Sequence, residues 1–378
     1  MIPAPGWEEA QVASVLFFAK RRIVLTTVGS LGDLHPYIAI GTGLQARGHE
    51  VVVATSACYR QKIEALHLGY RPIRPDSAWL SDATVMRRFI HVRWGMIRGA
   101  REWILPALRE SYEDILAASE GADLLVSHPL TALATRLVAE KTGIPWASTM
   151  PFPMGFFSVY DPQAPIVFPL FPRWLRLLGP TVCTGLRWLG KRGTRFLAKP
   201  WYRLRAEIGL PPPKETNPLS DNHSPLLVLA LFSQALAVKQ PDWPPNTVQT
   251  GFPLYDQDGE AGLPPALTRF LDDGPPPIVF TLGSAVVTHA GPFFEHSVAA
   301  AKLLGRRGVL MVKEARNRLP TLPDGVAAFA YAPFSELFPR AAAIVHHGGV
   351  GTTGLAMRSG RPMLVMPAHG TSPTTPSV

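Results

Sequence analysis

Two cysteines, Cys58 and Cys183, are all that this chain of 378 residues contains. Two cannot make a disulfide framework, so both are expected as reduced thiols of a cytoplasmic protein. No run of about 18 uninterrupted apolar residues occurs. The longest apolar segment, near Leu226–Phe232, is far too short to cross a bilayer. The N-terminus carries Glu8 and Glu9 and no early basic residue, which argues against a signal peptide. Acid is missing from the far end, where none follows Glu336. What is present is an ordinary globular share of apolar residues, 47%, which sets aside disorder and fibrous repeats. The length allows two domains.

Charge is unevenly spread. Residues 1–240 hold 27 basic and 18 acidic residues, whereas 241–378 hold 10 of each, so the net +9 lies in the first part. Residues 1–20 read as a leader outside the fold. Arg22–Val28 then reads as a buried strand, followed by a Gly-Ser-Leu-Gly-Asp loop, a helix over Tyr37–Arg47 ended by Gly48, and a strand at Val51–Ala54. This β-loop-α-β order is that of a parallel sheet. It recurs at Asp123–Ser127, Thr131–Lys141 and Pro145–Thr149. Residues 151–222 read as irregular, and Leu226–Phe232 as a strand. Residues 241–277, rich in proline, read as a linker. After it the rhythm restarts with strands at Ile278–Leu282, Val309–Lys313, Ala327–Tyr331, Ala343–His346 and Met363–Pro367, and helices near Phe293–Leu304 and Thr352–Ser359. The expected fold class is α/β: two Rossmann-like doubly wound domains, 21–240 and 278–378, facing a cleft. Ligands then belong at the carboxyl ends of the strands.

The strongest local signal is Ile344-Val-His-His-Gly-Gly-Val-Gly-Thr-Thr-Gly354. A strand runs into glycines, and threonines open a helix. Glycines let backbone approach an anion, which the helix N-terminus then holds. The same residues fit G-x-G-x-x-G, but the acid expected about 20 residues later for a nicotinamide dinucleotide is absent. His346 and His347 are a poor metal pair, because adjacent residues at a strand end point to opposite sides. No metal site is expected. In the first domain, Asp33 stands after a strand-end turn. It could be a general base for a hydroxyl or a cap for the helix near Pro36, and His35 competes as base.

With these loops, the chain resembles a GT-B fold glycosyltransferase of family 1, the superfamily of UDP-glucuronosyl, plant secondary-metabolite and antibiotic glycosyltransferases. The nearer likeness is to bacterial sterol glucosyltransferase-like and rhamnosyltransferase-like enzymes. It rests on Thr27–Tyr37, Leu44–Val51, Gln240–Pro244, Thr250–Tyr255, Phe280–Ser284, Ala330–Pro333 and His346–Thr353. The resemblance implies a metal-independent, cofactor-free enzyme that moves a hexose from a UDP or dTDP sugar to a hydroxyl of a hydrophobic acceptor, with inversion. It implies Asp33 as the base, with Gly29 and Ser30 among the donor-binding residues. Gly283 and Ser284 would approach the donor phosphates, and Tyr331 and Ala332 the nucleobase. His347, Gly349, Gly351, Thr352 and Thr353 would form the diphosphate cradle. Plant relatives have Trp at the place of Tyr331 and Gln at that of Phe334. Leu355 replaces a ribose-binding Glu of many UDP-sugar users, which keeps dTDP open.

Relatives continue after Met363–Pro367 with an Asp-Gln pair that holds donor hydroxyls, whereas this chain ends in Thr-Ser-Pro-Thr-Thr-Pro-Ser-Val. Permitted codons for 371–378, preceded by one G, spell Asp-Gln-Pro-Asp-Asn-Ala-Val-Arg. The expectation is a frameshifted, C-terminally truncated second domain, inactive or surviving as a nucleotide- or lipid-binding remnant. An epimerase of the same fold is a third reading, disfavoured by the basic, hydrophobic first half. There, residues 170–205 hold nine basic residues and no acid, interleaved with Trp174, Trp188, Phe196, Trp201 and Tyr202. Arg87, Arg88, Arg93, Trp94, Arg98 and Arg101 form a second such stretch. Such segments are either a solvated basic face or a peripheral contact with an anionic membrane. No nucleic-acid motif accompanies the charge.

Overall fold

The computed structural model describes residues 19–78, 95–161, 172–213, 217–256, 262–282, 290, 292–312 and 322–367. The leader to residue 18, Gly283, Ser284, Arg87–Trp94 and the last eleven residues lie outside them.

Two all-parallel sheets carry the chain. The first has seven strands in the order β3-β2-β1-β4-β5-β6-β7. They are β1 (Arg22–Thr26), β2 (Glu50–Thr55), β3 (Gly69–Pro72), β4 (Leu124–Ser127), β5 (Trp146–Met150), β6 (Leu227–Ala230) and β7 (Thr247–Gln249). The second has five, in the order β10-β9-β8-β11-β12: β8 (Ile278–Thr281), β9 (Gly308–Met311), β10 (Val326–Phe329), β11 (Ala343–His346) and β12 (Met363–Val365). The helices that cover these sheets include α1 (Leu31–Gln45), α2 (Arg60–Glu64), α3 (Leu108–Ala118), α4 (Ala132–Thr142), α5 (Pro172–Thr194), α6 (Lys199–Glu207), α7 (Pro265–Asp272), α8 (Phe293–Leu303), α9 (Phe334–Leu337) and α10 (Val350–Ser359).

Strands such as Ile23-Val-Leu25 and Ile278-Val-Phe280 are apolar on consecutive positions because helices cover both sheet faces. Leu25, Val53 and Ile63 pack with Tyr37 and Ile38 of α1 on one side of the first sheet. Val24, Leu125, Leu137 and Trp201 pack on the other, under α3, α4 and α6. In the second sheet, Phe280 and Leu310 meet α8 on one face, while Val279, Val309 and Ile344 meet α7, α9 and α10 on the other.

Three local expectations change. Helix α1 starts at Leu31, six residues before the expected Tyr37, because Ser30 and Asp33 cap it and Pro36 forgoes one bond, to the Gly32 carbonyl. The stretch 151–222, expected to be irregular, contains α5 and α6. Gly179, at φ 74°, kinks α5 just before Pro180. Within the expected linker, 241–277, lie β7 at the edge of the first sheet and α7, whose Leu267 and Leu271 enter the second core.

Candidate functional site

In each sheet the strand order reverses once, between β1 and β4 in the first and between β8 and β11 in the second. A crevice opens beyond the carboxyl ends of the strands at such a point. The loops after β1 and β11, singled out in the sequence, start at these two places.

The first is built around Asp33. Ser30 ends the loop after β1, and its N–H and hydroxyl donate to Asp33 Oδ2 at 2.7 and 2.9 Å. Gly29 is at φ +126°, and a Cβ on it would fall 2.4 Å from Asp33 Oδ2, so only glycine fits. Tyr59 donates to the Gly29 carbonyl (2.8 Å), and the Gly29 N–H donates to Ser77 Oγ (3.0 Å). Asp33 is therefore a cap, as one reading had it. Only Oδ2 is used for that; Oδ1 faces elsewhere.

What Oδ1 faces was not picked out from the sequence. His128 follows β4 directly, its N–H donating to the Thr26 carbonyl at 2.9 Å, and is 2% exposed. Its Nε2 lies 3.4 Å from Asp33 Oδ1. The Leu130 N–H donates to His128 Nδ1 at 3.2 Å, so the neutral ring carries its proton on Nε2, toward the carboxylate. Burial would raise the Asp33 pKa, but His128 and the two Ser30 donors outweigh it and hold it below the ordinary carboxylate value. The available signal was positional: a titratable residue one step past a strand at the switch point. His35, the competing base, stacks edge-on against Tyr255 (5.1 Å). Burial, with Lys62 nearby, lowers its pKa to about 4.

At the second place, β11 delivers His346 and His347, buried at 0% and 6% exposure. The Gly348 N–H donates to His346 Nδ1 (3.1 Å). His347 Nε2 lies against Gly349, where a Cβ would come within 2.5 Å. His347 Nδ1 is buried with no hydrogen-bond partner. Burial, and for His347 the neighbouring His346, lowers both pKa values to about 4, so both rings are neutral at pH 7. Gly349 caps α10, and the Thr353 N–H makes its first intrahelical bond, to the Gly349 carbonyl at 2.8 Å. The N–H groups of Val350, Gly351 and Thr352 come before that bond, and such groups form an anion-binding end. The Thr353 hydroxyl donates to the same carbonyl (2.9 Å). Tyr331 is 44% exposed, while the Ala332 side chain is buried in the core with Leu337 and Phe338 and can meet a ligand only through its backbone. Among the described residues no cluster of three or more His, Cys, Asp or Glu could hold a metal.

One stretch touches both halves. Phe252 and Leu254 lie over Gly354 of α10, at 2.8 and 3.1 Å from the position of a Cβ. Asp256 accepts from the Ser335 N–H at the start of α9. Between them, Tyr255 stacks on His35 of α1, with the Lys62 ammonium 5.4 Å from its ring centre.

Comparison with known proteins matches residues 23–154 to the glycosyltransferase family 28 N-terminal domain and 306–374 to the erythromycin biosynthesis protein CIII-like C-terminal domain. The chain is 36% identical over 369 residues to O-mycaminosyltylonolide 6-deoxyallosyltransferase of Streptomyces fradiae, covering 93% of this chain and 82% of that one. It is 30% identical over 373 residues to a sterol 3-beta-glucosyltransferase of Candida albicans, covering 92% of this chain and 23% of that protein. Among solved structures, the spinosyn forosaminyltransferase SpnP superposes with a TM-score of 0.64 at 17% identity, over 93% of this chain and 80% of that one. The glycosyltransferase VinC in complex with dTDP superposes with a TM-score of 0.59 at 21% identity, over 92% and 81%. The expected truncation receives no support from these comparisons.

Proposed function

Since the chain belongs to the GT-B glycosyltransferases related to the macrolide and sterol enzymes, we propose that it moves a deoxyhexose or hexose from a dTDP sugar to a hydroxyl of a hydrophobic polycyclic or macrocyclic acceptor. The transfer of a sugar from a nucleoside diphosphate to a hydrophobic acceptor follows from the family. The choice of dTDP over UDP rests on Leu355, an apolar residue where many UDP-sugar users carry Glu, and on the dTDP bound by VinC. Free thiols at Cys58 and Cys183 suit the cytoplasm.

The observation that supports the mechanism is the pairing of chemistries at the two switch points: a carboxylate with one oxygen outside the helix cap, facing His128, and a helix N-terminus beside a buried neutral imidazole. The acceptor oxygen attacks the anomeric carbon as the bond from that carbon to the diphosphate breaks. Asp33 Oδ1 takes the hydroxyl proton. The charge on the departing diphosphate is held by the N–H groups of Gly351 and Thr352 and by an N–H of His347. One displacement inverts the configuration. Gly283 and Ser284 would approach the donor phosphates, and Tyr331 the base.

Calorimetry with dTDP and UDP, followed by product analysis with a dTDP-hexose and a macrolactone or sterol acceptor, tests this. Binding of dTDP at least tenfold tighter than UDP and a product of inverted configuration are expected. Binding of neither nucleotide, or a product of retained configuration, overturns it.

A further inference from the structure

Between Pro180 and Thr194, helix α5 presents its apolar side to solvent. From Pro180 onward the side that meets the first domain is mostly polar. Arg187 donates to Asp242 Oδ2 (2.8 Å) and to the Phe157 carbonyl (3.1 Å). Lys191 pairs with Asp221. Asn217 Nδ2 donates to the Lys191 carbonyl and to Thr194 Oγ1, both at 2.9 Å. Cys183 is buried there against Val159.

The outward side carries Val182, Leu186 and Leu189, spaced by four and three residues and so aligned on one face. They are 46%, 39% and 60% exposed, with Trp188 at 57% and Phe196, just beyond the helix, at 62%. A helix on a globular protein ordinarily faces the other way. Arg192 lies 5.7 Å from the Trp188 ring centre and Arg195 5.3 Å from that of Tyr202. Lys199 and Arg203 are also exposed, and the sequence from 170 to 205 contains no acid.

We propose that this face docks on an anionic phospholipid bilayer. Leucines and a tryptophan sink into the headgroup and acyl boundary, while flanking guanidinium and ammonium groups meet lipid phosphates. A second copy of the chain is the poorer occupant. A two-fold contact here would set Arg192, Arg195, Lys199 and Arg203 against the same group with no acid to answer them. A polar nucleic-acid backbone would leave Val182, Leu186 and Leu189 uncovered. The proposal does not depend on the roles given to Asp33 or the donor cradle, and its test needs no turnover.

The test is co-sedimentation of the full chain with phosphatidylcholine vesicles, with and without 30% phosphatidylserine. Recovery is expected only with the anionic vesicles and should fall as salt rises. Each basic residue near such a surface is worth about fivefold in partition, so Arg192→Glu with Arg195→Glu should weaken binding at least tenfold. Leu186→Ser with Leu189→Ser should also weaken it. All four sites are exposed, so melting temperatures should stay unchanged, which separates lost docking from lost folding. Equal recovery with neutral and anionic vesicles, recovery with neither, or full binding by both double variants overturns the proposal. So does sedimentation velocity showing a dimer that the leucine variants dissolve.

Discussion

In the proposed mechanism Asp33 divides its two oxygens between helix cap and proton transfer, and substitutions can separate the two. Asn at 33 keeps an acceptor for Ser30 but cannot take a proton. Asp33→Asn should cut turnover about 10²–10⁴-fold with dTDP affinity unchanged. Asp33→Ala should in addition cost about 1 kcal/mol of stability, the worth of a cap. Unchanged turnover in Asp33→Asn would move the base elsewhere. His128 acts on the same carboxylate. Without its N–H, burial is less opposed and the Asp33 pKa rises, so the acid limb of the turnover profile should move to higher pH in His128→Leu. It should return in His128→Gln, which can again donate. A lower melting temperature with an unmoved limb would make His128 a packing residue. Asp33 was legible because its turn and helix lie within a dozen residues. His128 was not, because it reaches Asp33 only through the pairing of β1 with β4, which sets Thr26 beside Ser127.

At the level of the element, β11 and α10 form one unit, a strand that ends in two buried imidazoles and a helix that opens on glycine. His347→Ala should weaken dTDP by about 1.5–3 kcal/mol, roughly 10–100-fold, and leave thymidine alone. Equal losses for both ligands would make His347 structural. The two histidines also predict an acid response. Their folded pKa values, about 4, lie below the unfolded value near 6.5, so the unfolded chain binds more protons between these pH values. Their contribution to stability is full above pH 6.5 and is lost as pH falls toward 4. Thermal melts should show a falling transition over that window, and His346→Asn, which keeps an acceptor for the Gly348 N–H, should flatten it. This loop was legible because glycine spacing and helix period are local. The direction in which α5 faces was not: periodicity marks an apolar face, but only the partners Asp242 and Asp221 show which side turns inward.

Across the whole molecule, the two sheets were legible from their alternating strands and helices, but the stretch between them was not. Its prolines hid an edge strand, β7, whose place depends on β6, and a strap whose contacts lie far off in the chain. Tyr255→Ala should leave each core intact and loosen their coupling. Calorimetric unfolding of the variant should split into two transitions where the parent shows one; a single transition shifted as a whole would count against it. Connecting segments ordinarily tolerate changes of length. In this one, Phe252 and Leu254 serve α10 while Tyr255 serves α1, so a single residue inserted after Leu254 would turn the ring away from His35. The stretch behaves as a spacer of fixed length. Any ancestral or engineered exchange of halves between such enzymes must carry it across whole, with its count of residues intact.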